Sequence, residues 1–139
     1  MHKISGIYSA ALTPVKEDLS INKDLYLRHC QYLMRQGHDG LAIFGTTGEA
    51  NSFSVQEKKD HLDFLISNRI DPNILIPGTG SSSLNEAIDM TKHAAKNKVK
   101  AVLLLPPFYY KNVTNEGVIN FYRHIIERVG ESDLQYILY

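Results

Sequence analysis

The chain has 139 residues, of which 43% are hydrophobic and 22% charged, and this is enough for one globular domain with a core. Fifteen basic residues balance fifteen acidic ones, which argues against nonspecific nucleic-acid binding and polybasic docking on a membrane. A single cysteine cannot form an internal disulfide, and no apolar run approaches the roughly 20 residues of a membrane span. The N-terminus has no apolar run typical of a signal peptide, so we expect a cytoplasmic protein.

Five short apolar runs predict strands at 7–12, 41–44, 74–76, 101–105 and 136–138. Between them, helices are predicted at 22–36, 54–68, 83–97 and 114–130. The first helix has an apolar face made by Leu25, Leu27, Cys30, Leu33 and Met34. The patterns S-V-Q-E at 54–57 and S-L-N-E at 83–86 predict two capping boxes, and Thr114 and Gly130 mark the limits of the fourth helix.

The strands are apolar throughout, which is typical of parallel strands buried on both faces. Each strand–helix unit has about 30 residues, as a βαβ crossover requires. Five strands and four helices resemble an interrupted (β/α)8 barrel, whose usual length is about 250 residues. We therefore expect residues 1–139 to be the N-terminal part of a single α/β barrel domain, and a five-stranded open sheet is the alternative. The expected inward-facing residues are Ala10, Leu12, Ile43, Ile76 and Leu104.

Chemistry in parallel α/β folds lies on the loops after the carboxyl ends of the strands. The second strand is followed by G-T-T-G-E at 45–49, whose hydroxyls and N–H groups could donate to a carboxylate or phosphate, although such a loop can equally be a polar turn. The third is followed by P-G-T-G at 77–80, which lacks the third glycine of a dinucleotide-binding fingerprint. The fourth is followed by Phe108, Tyr109 and Tyr110, which cannot all be core residues.

Two further observations concern proton transfer and metals. Tyr139 ends the fifth strand, and its phenol could relay protons if it were hydrogen-bonded to Thr46 and another tyrosine, although a strand tyrosine more often packs. The six histidines form no H-E-x-x-H pair and no cysteine joins them at ligand spacing, so we expect solvated helical histidines and no metal site.

With these residues in hand, the sequence resembles the dihydrodipicolinate synthase / N-acetylneuraminate lyase family along its whole length. The segments that carry the resemblance are A-L-T-P at 11–14, G-T-T-G-E at 45–49, P-G-T-G at 77–80, P-P-F-Y-Y at 106–110 and I-L-Y at 137–139. The resemblance implies a (β/α)8 barrel and a class I aldolase without a separate cofactor. In the family a lysine on the sixth strand forms a Schiff base with pyruvate, and that lysine would lie beyond Tyr139.

The resemblance also implies roles for individual residues. Thr46 and Thr47 would hold the pyruvate carboxylate, and Gly48 and Gly78 would belong to the same substrate-binding loops. Tyr139 would be the catalytic tyrosine that relays protons.

The family further implies an intersubunit contact in a homodimer or homotetramer. Thr46 would link Tyr139 to a tyrosine from the neighbouring subunit. We expect Tyr109 in that role, and Tyr110 is the alternative because the loop is one residue longer than in typical synthases.

The expected partners are pyruvate and a small aldehyde or keto acid. Thr46 favours a synthase-type condensation in lysine biosynthesis, since the sialic-acid lyases usually have serine there. The aromatic loop at 108–110 looks more like the lyases, and members acting on 2-keto-3-deoxy sugar acids also fit. If the chain is natively this short, a non-catalytic binding or assembly domain is the rival from another class.

Synthases inhibited by lysine resemble each other at a cluster that follows G-T-T-G-E and G-T-G. Here those positions hold Ala50, Val55, Lys58 and Ser82, which do not match, and only Glu86 does. The sequence therefore predicts an enzyme without lysine feedback.

Overall fold

The structure is a computed structural model that describes residues 4–139. In these residues, five strands alternate with four α-helices. The strands are β1 (Tyr8–Ala10), β2 (Gly40–Ile43), β3 (Leu75–Pro77), β4 (Ala101–Leu104) and β5 (Gln135–Leu138). The helices are α1 (Lys23–Arg35), α2 (Val55–Ser67), α3 (Leu84–Lys96) and α4 (Asn115–Val129). Every predicted element is present, but two strands have other limits: β1 ends at Ala10, which leaves the predicted Leu12 outside it and exposed, and β3 starts one residue late because Ile74 ends a short 3-10 turn.

The strands lie side by side in chain order and are parallel throughout. One group pairs as β1-β2-β3 and the other as β4-β5. A parallel bridge between Gly78 and Leu103, with a 3.0 Å bond from the Thr79 N–H to the Leu103 carbonyl, joins the two groups. A doubly wound sheet reverses its strand order at a switch point, whereas this order only advances. The topology is that of the first part of a (β/α)8 barrel.

Local side-chain caps explain where the helices begin. The Asn22 side chain accepts the Leu25 N–H at the start of α1, and Thr114 accepts the Gly117 N–H at the start of α4. The predicted capping box of α2 is complete, with the Ser54 N–H donating to the Glu57 carboxylate at 2.8 Å.

The capping box predicted for α3 is wrong in one half. Ser83 caps the helix by accepting the Glu86 N–H. The Glu86 carboxylate, however, accepts from the Ser81 hydroxyl at 2.7 Å, and that hydroxyl in turn accepts the Ser83 N–H at 3.1 Å. The Ser81 hydroxyl thus lies between the two groups that a capping box would join directly.

The core lies between one face of the strands and the helices. Its strand members include Leu41, Ile43, Leu75, Val102 and Leu104, all fully buried. The prediction that Ile43 and Leu104 fill the inner face of the barrel is therefore wrong. The inner face is instead the opposite one, where the strand register places Ala42 beside the predicted Ala10 and Ile76. On that face Ile76 is buried, Ala42 and Leu103 are partly buried and Ala10 is exposed.

Two helix predictions also need correction. Leu25 is 41% exposed, and the fully buried residues of α1 are its neighbour Tyr26 and, one turn later, the predicted Cys30. Not all helical histidines are solvated, because His61 of α2 is buried. No helix within residues 4–139 has the length and apolarity that crossing a membrane would require.

Candidate active site at the carboxyl ends of the strands

The predicted site residues all follow the carboxyl end of a strand. Thr46 and Thr47 follow β2, Gly78 follows β3, Tyr109 follows β4 and Tyr139 follows β5. Because the strands are parallel, these residues lie at one end of the sheet, as the sequence predicts.

The G-T-T-G-E segment forms a tight turn with free donors. The Glu49 N–H donates to the Thr46 carbonyl at 3.0 Å, and the Ala50 N–H donates to the Gly45 carbonyl at 3.3 Å. Thr46 and Thr47 are exposed, and their main-chain N–H groups have no acceptor among residues 4–139. Successive unpaired N–H groups of this kind suit an anion.

The far end of the turn is anchored by the segment after β1. The Thr13 hydroxyl donates to the Gly48 carbonyl at 2.8 Å. A Cβ on residue 48 would lie 2.9 Å from the Ala11 carbonyl oxygen, closer than real side chains allow. Packing against the Ala11 carbonyl is therefore enough to explain why residue 48 is glycine. The part of Gly48 in substrate binding stays a prediction.

At position 78, packing excludes a side chain even more strictly. A Cβ there would lie 2.0 Å from the carbonyl oxygen of Phe44, the residue before the turn. The Gly78 N–H also donates to the Ile43 carbonyl at 2.8 Å, which continues the β2–β3 ladder. Phe44 itself has a left-handed backbone, with φ of 52°, although it is buried and not glycine.

A small cavity of about 160 Å³ opens beside the turn. It is lined by Phe44, Gly45, Thr46, Glu49, Ala50, Asn51, Ser52, Gly80 and Leu105. Pockets for drug-sized ligands usually have about 300–1,000 Å³, so this one suits a much smaller molecule.

The two tyrosine predictions concern exposed side chains. Tyr109 is 73% exposed, its N–H donates to the Ser82 hydroxyl at 3.3 Å, and its ring meets Tyr110 edge-on at 5.4 Å. Tyr139 is 67% exposed, and its N–H donates to the Leu104 carbonyl at 3.2 Å. Within residues 4–139, the Tyr139 hydroxyl makes no hydrogen bond, so the predicted link to Thr46 is not formed here. The roles of both tyrosines stay predictions.

A second cavity, of about 480 Å³, lies between the starts of α2 and α3. The five positions of the predicted regulatory cluster, namely Ala50, Val55, Lys58, Ser82 and Glu86, all line it. Lys58 is only 5% exposed, which the sequence did not suggest. Burial lowers the pKa of the Lys58 ammonium, and the charge of Glu86 opposes this shift.

We predict that Gly78→Ala destabilises the full-length protein by about 1–3 kcal/mol, because the new methyl overlaps the Phe44 carbonyl. The control is Gly45→Ala, whose Cβ would meet only the Leu103 side chain at an ordinary 3.6 Å. Chemical denaturation measures both free energies of unfolding. Equal values for the two variants would contradict the close approach.

Comparisons with known proteins agree with this geometry. The sequence profile of the dihydrodipicolinate synthetase family matches residues 3–139. The chain is 34% identical to 4-hydroxy-tetrahydrodipicolinate synthase of Methanothrix thermoacetophila over 134 residues, and 34% identical to N-acetylneuraminate lyase of Rhizobium meliloti over 125 residues. These matches cover 96% and 90% of this chain but 43% and 42% of the relatives.

Solved structures give the same result. Dihydrodipicolinate synthase from Agrobacterium tumefaciens superimposes with a TM-score of 0.92 at 28% identity, covering 96% of this chain and 47% of that one. The chain thus spans less than half the length of the relatives it matches, and within that length the folds agree. This chain belongs to the dihydrodipicolinate synthetase family.

Proposed function

We propose that this chain is the N-terminal part of a pyruvate-dependent Schiff-base lyase, which condenses pyruvate with a small aldehyde as a 4-hydroxy-tetrahydrodipicolinate synthase does. The observation that carries the proposal is the turn after β2. It presents unpaired N–H groups and hydroxyls at Thr46 and Thr47, at the carboxyl end of a barrel sheet and beside a small cavity.

The turn supplies recognition of a carboxylate. Hydrogen bonds to an ionised acceptor are shorter and stronger than neutral ones, so two N–H groups and two hydroxyls suit the carboxylate of pyruvate. With the carboxylate held there, the ketone carbon is directed over the open end of the sheet, where a lysine amine can attack it.

The covalent step needs a lysine that we place outside residues 1–139. Its amine adds to the pyruvate ketone, water leaves, and an iminium forms. Loss of a methyl proton then gives the enamine that attacks the aldehyde carbon. The iminium acts as the electron sink, so no separate cofactor is required.

Tyr139 is proposed to carry protons in these steps. Its side chain is exposed at the end of β5, on the same end of the sheet as Thr46. In the assembled enzyme we expect Thr46 to connect it to Tyr109 of the neighbouring subunit, with Tyr110 as the alternative.

Cleavage of a sugar acid is the second candidate. It is favoured by the aromatic loop at 108–110 and by the N-acetylneuraminate lyase relative, which is as similar as the synthase at 34% identity. Thr46 is the residue that favours the synthase. An assay in which the full-length protein releases pyruvate from N-acetylneuraminate, and does not consume pyruvate together with an aldehyde, would favour the lyase.

Borohydride reduction in the presence of pyruvate, followed by intact mass measurement, tests the central proposal. We expect one adduct per full-length chain and none on the isolated 139-residue chain. The isolated chain should also aggregate or need a partner, because within residues 4–139 β1 and β5 each pair on one side only. A stoichiometric adduct on residues 1–139 would refute our placement of the lysine, and no adduct on the full-length protein would favour a non-catalytic domain.

Replacing Tyr139 by Phe in the full-length protein removes the proton relay but keeps the ring. General acid–base groups are worth roughly 10²–10⁴ in rate, so we expect turnover to fall by that factor while borohydride trapping of pyruvate at equilibrium is retained. Tyr136→Phe, on the same strand, is the control that removes a hydroxyl from the helix-facing side. Turnover within twofold of the parent would remove Tyr139 from the mechanism.

Lysine should not inhibit this enzyme. The cavity that contains the predicted regulatory cluster has a buried cation at Lys58 and apolar side chains at Ala50 and Val55. A lysine ligand brings a second ammonium group, which Lys58 would repel. Steady-state rates with millimolar lysine should equal those with sodium chloride at the same ionic strength. Full inhibition by millimolar lysine would contradict this prediction and show that lysine binds the cluster despite Ala50, Val55 and Lys58.

A further inference from the structure

A buried tyrosine lies beneath the turn that we assign to pyruvate. Tyr26 of α1 is fully buried, and its hydroxyl has no hydrogen-bond partner in this structure. Buried polar groups are nearly always paired, because leaving water without a new partner is unfavourable. The unpaired Tyr26 hydroxyl in the core therefore needs a structural or functional explanation. Burial also raises the pKa of Tyr26 well above its usual range, so the hydroxyl keeps its proton and acts as a donor.

The ring of Tyr26 supports the start of the turn. It packs against the Phe44 ring with centroids 5.8 Å apart and planes at 56°. Phe44 holds a left-handed backbone, which for a bulky residue persists only where the surroundings enforce it. Tyr26 is one of those surroundings, and the Phe44 carbonyl against Gly78 is another.

The Tyr26 hydroxyl lies near a side chain that holds the end of the turn. Its polar neighbour is the Thr13 side chain, whose own hydrogen is donated to the Gly48 carbonyl at 2.8 Å. The Thr13 oxygen keeps lone pairs that can accept a further hydrogen. A bond from Tyr26 to Thr13 would orient the Thr13 hydrogen towards Gly48.

One other acceptor competes for this hydrogen. The His61 ring centroid lies 6.5 Å from that of Tyr26. His61 Nδ1 is 2.6 Å from the Glu57 carbonyl and so carries the hydrogen, which leaves the buried, unpartnered Nε2 as an acceptor. A test must therefore separate Thr13 from His61.

We propose that Tyr26 is a positioning residue for pyruvate: its ring against Phe44 and its hydroxyl closing onto Thr13 fix both ends of the 45–48 turn, and so aim the N–H groups of Thr46 and Thr47 at the carboxylate. This inference rests on the proposed function. Tyr26 lies below the turn, acts through Thr13 and Phe44, and touches no substrate.

The main experiment is Tyr26→Phe in the full-length protein, which keeps the ring and removes the hydroxyl. We expect the pyruvate concentration for half-maximal borohydride trapping to rise about 3- to 10-fold, the effect of one hydrogen bond, with kcat changed less than twofold. Tyr32→Phe on the same helix is the matched control, because Tyr32 is exposed. A merely structural role would lower the melting temperature and the active fraction without moving half-saturation.

Double variants identify the acceptor. Thr13→Val should raise half-saturation as Tyr26→Phe does, Thr13→Ser should restore it, and the combination of Tyr26→Phe with Thr13→Val should be less than additive. If Tyr26→Phe instead loses its effect only in a His61→Gln background, the hydroxyl serves His61 and the proposal is overturned. Half-saturation unchanged in Tyr26→Phe overturns it as well.

Amide hydrogen exchange keeps the inference separate from the proposed function. We expect residues 45–48 to exchange faster in Tyr26→Phe than in Tyr32→Phe. If the parent protein traps no pyruvate, the proposed function fails, and exchange alone decides whether Tyr26 holds the turn. Equal exchange in the two variants would refute the positioning role whether or not pyruvate binds.

Discussion

The contact between the Phe44 carbonyl and Gly78 constrains the whole end of the sheet where the site lies. The chain leaves β2 so close to the start of the β3 loop that a Cβ on residue 78 would lie 2.0 Å from that carbonyl oxygen. At the same point Phe44 adopts a left-handed backbone, and the chain turns away from the ladder. The N–H groups of Thr46 and Thr47 consequently find no carbonyl within residues 4–139 to accept them. A strand that ended in ordinary extended geometry would have directed those groups to its neighbour, and they would not be available to a ligand.

The sheet order converts these local features into a site. Because every strand is parallel and follows its predecessor, loops distant in sequence meet at one end. The helices all pack on the face that carries Leu41 and Val102, and the other face is left for the barrel interior. The loop after β1 contributes through Thr13 without presenting a group to a ligand. The loop after β1 therefore supports the turn, and the loop after β2 carries the groups proposed to bind the ligand, at the same end of the sheet.

Sequence patterns predicted the helices and strands better than they predicted which face of each strand is buried against the helices. Caps and apolar runs depend on neighbouring residues, so the limits of α4 and the capping box of α2 were correct. The inner face was predicted correctly at Ala10 and Ile76 and wrongly at Ile43 and Leu104. A one-residue offset in a strand reverses every side chain, and only the pairing register fixes that offset. Tyr26 was overlooked in favour of Leu25, since a tyrosine is not an obvious core residue by hydrophobicity alone. The glycines of the site were predicted, but their close neighbours are the chain's own carbonyls and could be found only from the structure.

Sequence identity to known relatives does not decide between a synthase and a lyase for this chain. Relatives named for a synthase and for a lyase are each 34% identical to these residues. On the proposed function, this part of the barrel recognises a carboxylate, a feature that is independent of what pyruvate is joined to or released from. Thr13 and Tyr26, which support the turn at 45–48, contact the chain's own Gly48 and Phe44, so they do not themselves choose between an aldehyde and a sugar. We therefore expect discrimination to come from side chains around the rest of the substrate, and the exposed aromatic loop at 108–110 is a candidate among residues 4–139. Its exposed tyrosines are free to meet a second subunit, so assembly and substrate choice are expected to depend on the same loop.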